Sequence, residues 1–149
     1  VNYDNFETLP GAYAFRLYRN YDGSGSKFGD VSVSAASGDQ SQLAIYAAQR
    51  SSDSALTLVI INKTGGTLTG DVSLAGFTPA GNTAQVFRYS AANLNAIVQQ
   101  ANQPVTPSSF SASFPANSMT LVVIPGASAF NSGVYLPVVS KSSAISCPG

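Results

Sequence analysis

The side chains able to do chemistry are few, and their types exclude more than they offer. There is no histidine among the 149 residues, so neither a Ser-His or Cys-His nucleophile nor a His-based metal site can be built. Cys147 is the one cysteine. It can form no internal disulfide and reads as a free thiol on a C-terminal tail, with pairing between chains or to a missing part of a longer parent as the alternative. The acids are Asp4, Glu7, Asp22, Asp30, Asp39, Asp53 and Asp71. Glycosidic-bond hydrolysis usually takes two carboxyl groups about 5–9.5 Å apart across the scissile bond. Six of these seven fall in expected loops or termini, where a carboxylate is usually a cap or a solvated charge, and Asp71 opens a strand. Catalysis by this chain alone is not expected, and no cofactor or metal is implied.

Aromatic rings are the more promising chemistry. Sugar sites stack the apolar face of a pyranose on an aromatic ring and flank it with polar groups, a task that suits amphipathic tyrosine. The chain has seven Tyr and eight Phe but no Trp. Phe87 and Tyr89 share one face of an expected strand with Gln85 beside them, the best available platform. Tyr18, Tyr21 and Asp22 form a second, weaker cluster. The competing reading is that these rings are core or interdomain packing, since an aromatic on a strand is more often buried than used; a buried Tyr89 would remove the platform's best residue. Two loops add fainter signals. Asn62-Lys63-Thr64 matches the glycosylation acceptor pattern, but it sits where a turn needs Asn anyway. Asp22-Gly23-Ser24-Gly25-Ser26 offers oxygen ligands for calcium, but lacks the dense Asp/Asn spacing of a calcium loop.

The elements that must place these residues centre on 42–63. Leu43, Ile45 and Ala47 alternate with Ala44, Tyr46 and Ala48; after the polar Arg50-Ser51-Ser52-Asp53-Ser54, the run Leu56, Leu58, Val59, Ile60, Ile61 leaves Thr57 as its polar member. This predicts a β-hairpin with a loop of about four or five residues and a second arm buried on both faces. Upstream, Ala14, Leu17, Tyr18 and Tyr21 fall at i, i+3, i+4 and i+7, one face of a helix over 12–21, with Gly23 placed to follow its end. So broad an aromatic stripe needs something large to pack on, either the rest of this chain or a neighbour outside it. Downstream, strands are expected at 31–35, 71–77, 83–89, weakly at 96–99, and at 110–114 and 118–124, with a single helical turn at 90–95 capped by Ser90. About eight strands at spacings of roughly ten residues predict an all-β fold, an antiparallel β-sandwich in two sheets with one short N-terminal helix. The tail from 127 is low in complexity apart from Val134-Tyr135-Leu136-Pro137-Val138-Val139, which could dock as an added strand, confined by Pro137 to an edge.

Composition bounds the partners. The length suits one domain, which at this size buries roughly 70% of the unfolded chain's surface. Charged residues make up 9%, against the usual quarter, and Ser, Thr, Asn and Gln replace them, a pattern of secreted β-rich domains. Formal net charge is zero and no basic patch exists, so neither nucleic acid nor an anionic membrane surface is an expected partner. No signal peptide or transmembrane run is evident. The start at Val1-Asn2-Tyr3 reads as a cut from within a longer protein.

Several motifs, in order, carry a family resemblance: Tyr18-Arg19-Asn20-Tyr21-Asp22-Gly23, Phe28-Gly29-Asp30, Tyr46-Ala47-Ala48-Gln49-Arg50, Val59-Ile60-Ile61-Asn62-Lys63, Tyr89-Ser90-Ala91-Ala92-Asn93-Leu94 and Pro115-Ala116-Asn117-Ser118-Met119-Thr120-Leu121. Over about 10–125 the chain resembles the C-terminal part of glycoside hydrolase family 44. The resemblance implies a secreted bacterial endo-β-1,4-glucanase, active on xyloglucan or other β-glucans, in which a catalytic (β/α)-barrel is followed by a β-sandwich domain. It implies that 1–22 is the end of the barrel (a loop plus its last helix), 23–125 the sandwich, and 126–149 a C-terminal extension that departs from the family pattern. The family's catalytic glutamates lie on barrel strands upstream; Glu7 matches neither, so no catalytic residue is carried over. The expected role is a non-catalytic accessory domain supporting the catalytic barrel, its partner. The alternative is a carbohydrate-binding module for cellulose or other plant cell-wall β-glucans, using Tyr18, Tyr21, Asp22, Gln85, Phe87 and Tyr89.

Overall fold

The run Leu56–Asn62 (β4) has no side chain facing water on either face except the half-buried Ile61, and the rest of the architecture follows from covering it twice. A computed structural model describes residues 10–127 and the backbone of 138–141. Helix α1 spans Pro10–Arg19, followed by β1 (Val31–Val33), β2 (Ala36–Ser37), β3 (Leu43–Gln49), β4, β5 (Leu68–Ser73) and β6 (Thr83–Ser90). Then come β7 (Asn93–Gln99), β8 (Gln103–Pro104), β9 (Ser109–Phe114), β10 (Ser118–Ile124) and β11 (Val138–Lys141). The larger sheet runs in the order β1-β3-β4-β10-β6-β7, with β8 pairing β6, and the smaller in the order β2-β11-β5-β9. All pairs are antiparallel except β11 with β2. The expected all-β sandwich with one short helix is the fold observed. Among the described residues no helix is long and apolar enough to cross a membrane.

Period-2 alternation sorts the side chains into two layers. Leu43, Ile45, Leu58, Ile60, Val72, Phe110, Phe114, Val122 and Ile124 form the layer between the sheets. Val59, Phe87, Tyr89, Leu121 and Val123 point from the other face of the larger sheet and meet Tyr13, Leu17 and Tyr21 from α1 and the turn after it. The helical pattern thus packs on this chain's own sheet. Pro10 occupies the first helical position, where its missing N–H costs nothing, and the chain turns away through Gly23 at φ 76°, a conformation glycine adopts without strain.

Three local expectations change. No helical turn forms at 90–95: Ser90 pairs with Asn93 across a tight turn, and the ladder with β6 claims the segment as β7. Ser90 and Asn93 instead bond backbone amides two residues on, a turn habit of Ser and Asn. The strand expected at 71–77 lies at 68–73, where it pairs with β9. The strand at 138–141 is not at an edge but has β2 on one side and β5 on the other. The expectations for residues 1–9, including Asp4 and Glu7, for 134–137 and for Cys147 lie outside the described residues.

After α1 the chain crosses the edge of the larger sheet with its backbone against β3. Phe28 N donates to Tyr18 O at 2.8 Å and Asp30 N to Gln49 O at 3.2 Å, while Gly29 N donates to Thr57 Oγ1 at 2.9 Å. Thr57 in turn donates to Ala48 O at 2.7 Å, so the polar member of β4 ties the crossing segment to the hairpin. A Cβ on Gly29 would lie 2.5 Å from Ala48 C and 2.6 Å from Gln49 C, both backbone atoms. Gly29→Ala is therefore expected to cost about 1–3 kcal/mol, the range for overpacking a rigid site. Gly11→Ala, on α1 with nothing within 4 Å of the new Cβ, is expected to be neutral or up to about 1 kcal/mol stabilising. Urea midpoints of the two variants check both.

Candidate functional site

Residues Tyr13, Leu17 and Tyr21, four apart, lay an apolar stripe across the larger sheet. Tyr13 stacks on Tyr89 with ring centroids 4.8 Å apart and planes 12° apart, and Tyr21 tilts against Phe87 at 4.7 Å. Each phenol has a polar partner, as buried tyrosines usually do: Tyr13 donates to Asn95 O at 2.7 Å, Tyr89 to Leu94 O at 3.1 Å, and Tyr21 accepts from Arg50 Nη1 at 2.6 Å. The Arg16 guanidinium lies 5.3 Å above the Tyr13 ring. Burial, then the neighbouring Tyr13 phenol, raises the pKa of Tyr89.

This geometry corrects the expected platform. Phe87 and Tyr89 are 5% and 8% exposed and Tyr21 is 5% exposed, because α1 roofs the face of β6 that carries them. Alternation showed that Gln85, Phe87 and Tyr89 share a face, but not that a helix covers it. Gln85 is exposed. Tyr21, Asp22 and an edge of Phe87 do share a surface cleft, with Arg16, Asn20 and Gln99 beside them; Tyr18, Gln85 and Tyr89 do not line it.

Tyr18 packs at the margin of the same apolar layer and lines a second concavity with Phe28 and Tyr46, two rings not singled out from the sequence. Its ring meets Phe28 edge-on at 5.0 Å and 73°, and its pKa is raised by burial and then by Tyr46. Tyr46 stands 48% exposed on β3 between Ala44 and Ala48 on the same face. That pattern, one large ring between two alanines on a strand, is the sequence signal that could have found it.

The described carboxylates are engaged in local structure. Asp22 accepts from Ser24 N, Ser26 N and Ser26 Oγ, Asp30 from Ser51 N and Oγ, Asp53 from Arg50 and Ala55 N, and Asp71 from Ser111 Oγ. Slight burial pushes Asp22 and Asp53 up, but hydrogen bonds outweigh it and hold both below the usual carboxylate range. The Ser51 hydroxyl and amide lower Asp30. A glycosidase general acid needs the opposite, a raised pKa. Among the described residues no group of three His, Cys, Asp or Glu could hold a metal ion. The acceptor pattern at Asn62 is engaged too: the side chain is 1% exposed, and its amide donates to Gly66 O at 2.8 Å and Phe114 O at 2.9 Å.

No protein-family model matches the chain. A 61-residue stretch is 41% identical to endoglucanase A of Paenibacillus lautus, covering 40% of this chain and 8% of that protein. Among solved structures, CelM2, a bifunctional glucanase-xylanase from a metagenome library, is 40% identical with a TM-score of 0.72, over 78% of this chain and 22% of that one. A Paenibacillus polymyxa xyloglucanase from glycoside hydrolase family 44 is 28% identical with a TM-score of 0.68, over 76% of this chain and 22% of that one. The likeness to glycoside hydrolase family 44 read from the sequence motifs thus holds in the structure. The chain spans less than a tenth of that curated relative and about a fifth of each solved protein.

Two outcomes follow from the buried seam and the capped carboxylates. Tyr89→Ala is expected to destabilise the chain by about 3–5 kcal/mol, as for other buried aromatic truncations, and Tyr89→Phe by about 1 kcal/mol for its one hydrogen bond; urea unfolding measures both. Asp22, Asp30 and Asp53 have depressed folded-state pKa values, so the stability they add is complete above the ordinary carboxylate range of about 4 and is lost as pH falls through their lowered values. With no histidine to titrate, melting temperature should be flat from about pH 6 to 8 and fall below about pH 4.

Proposed function

We propose that the chain is a non-catalytic accessory β-sandwich domain of a secreted bacterial β-glucan-degrading glycoside hydrolase, where it supports a catalytic (β/α)-barrel. One observation carries the reading beyond similarity: α1 is apolar on two sides. Leu17 and Tyr13 face the sheet and are buried, whereas Phe15 points away and is 67% exposed, the most exposed large apolar side chain among the described residues. An exposed phenylalanine on the helix that already seals the sheet is a natural anchor for a second body packed from outside. The similarity to glucanases and xyloglucanases several times longer than this chain supports a role as one part of a multidomain enzyme. The local engagement of the described carboxylates is in keeping with chemistry performed elsewhere in that enzyme.

Within the 149-residue chain, Phe15→Ser should change stability by no more than about 0.5 kcal/mol, as for an exposed position. Grafted into the metagenomic glucanase-xylanase in place of the matching segment, the chain should support a folded, active enzyme. There, Phe15→Ser should lower stability by about 1–3 kcal/mol, the cost of losing a buried side chain's contacts. Thermal unfolding of both forms decides: an equally small effect in each would show that Phe15 anchors no barrel.

A further inference from the structure

We propose that the concavity where Tyr46 of β3 faces Tyr18 of α1 and Phe28 of the crossing segment is a binding subsite for a pyranose unit of a neutral glucan. Its volume is about 470 Å³, within the range of small-ligand sites. The choice of a glucan as ligand rests on the function proposed above; the site itself rests on its own geometry.

The lining has the two ingredients sugar recognition requires. The first is an exposed ring: Tyr46 shows nearly half its surface to water, flanked by alanines that leave its face free, and Tyr18 and Phe28 stand beside it in an edge-on pair. The second is a set of unspent hydrogen-bonding groups. The hydroxyls of Tyr18, Tyr46 and Ser32 have no hydrogen-bond partner among the described residues. These groups border open solvent and keep their capacity for a ligand, whereas the buried phenols of Tyr13, Tyr21 and Tyr89 have spent theirs on protein partners, as buried tyrosines usually do. Gln40, also in the lining, uses its side-chain oxygen on Ile45 N at 2.9 Å and keeps its amide donors available.

Charge and rigidity narrow the ligand. Asp30 is the one charged group in the lining, and its carboxylate already accepts from Ser51. Nearby Lys63 is tied to Gln40 O at 3.1 Å. Nothing here selects an anion or a cation; hydroxyl donors beside a ring suit a neutral polyol with one apolar face. The walls are fixed before any ligand arrives, since Phe28 is bonded to Tyr18 O and Gly29 lies against the backbone of β3. Pre-formed walls reduce the ordering cost that weakens binding.

The test measures binding of cellohexaose and tamarind xyloglucan to the full chain, by tyrosine fluorescence and by retardation in polysaccharide-containing native gels. With no Trp in the sequence, emission reports on tyrosine directly. Expected are saturable binding to at least one probe, a loss of tenfold or more in Tyr46→Ala, a smaller loss in Tyr46→Phe, and unchanged binding in Phe15→Ser. Circular dichroism melts establish that each variant is folded; if Tyr46→Ala fails to fold, Ser32→Phe, which fills the concavity from its rim, replaces it with the same expected loss. Absence of binding to both probes, or binding unaffected by folded variants of the concavity, overturns the proposal. So does a barrel contact, recognised when Tyr46→Ala destabilises the grafted enzyme but not the isolated chain. The Phe15 comparison tests the supporting role separately, so either idea can fail while the other stands.

Discussion

Strands β4 and β10 lie side by side, from Leu56 opposite Ile124 to Asn62 opposite Ser118, with apolar side chains on both faces, so the sheet they centre must be covered twice. The smaller sheet does so on one side, burying Leu58, Ile60, Val122 and Ile124 against Val72, Phe110 and Phe114. On the other, ten helical residues and the segment carrying Phe28 cover Val59, Leu121, Phe87 and Tyr89. Each such side chain is worth about 1.5–3 kcal/mol when fully buried. Without α1 the larger sheet would present much of that face to water. The helix is therefore a third layer of the fold, whatever further body it also meets.

The parts legible in the sequence are those where one physical signal dominated. The apolar run of β4 and the alternation in β3 and β9 each admitted a single reading, whereas the stripe expected at Ala14, Leu17, Tyr18 and Tyr21 is centred instead on Tyr13, Leu17 and Tyr21, with the helix at Pro10–Arg19. Elsewhere two signals competed. Ser90 and Asn93 are helix caps and turn formers alike, and pairing with β6 settled the matter in favour of β7. Pro137 argued for an edge, yet β11 takes an interior place between β2 and β5.

The rings show the same limit more sharply. Period-2 alternation assigned Phe87 and Tyr89 to one face, but whether that face meets water is a tertiary property, decided by where α1 lands. Tyr46 obeys the same alternation in β3 and stays open, because α1 runs over β6 and β10 and its far flank leaves β3 uncovered beside Tyr18. Family motifs name stretches of chain without distinguishing packing from recognition. Tyr18 and Tyr21, three residues apart in one motif, both touch the layer under α1, yet Tyr18 sits partly exposed at its margin while Tyr21 is buried and bonded to Arg50.

The order of strands also governs how the chain can assemble. The β3–β4 and β6–β7 hairpins close over short turns, but β10 inserts between β4 and β6, and Tyr13 finds its hydroxyl partner 82 residues downstream. Such non-local pairings slow folding, since loop entropy is lost before contacts reward it. On a ribosome, where the N-terminal part emerges first, α1 is made before every strand it packs on and must wait for them to be seated. Its aromatic stripe has no complete sheet to rest on until Ile124 has left the tunnel.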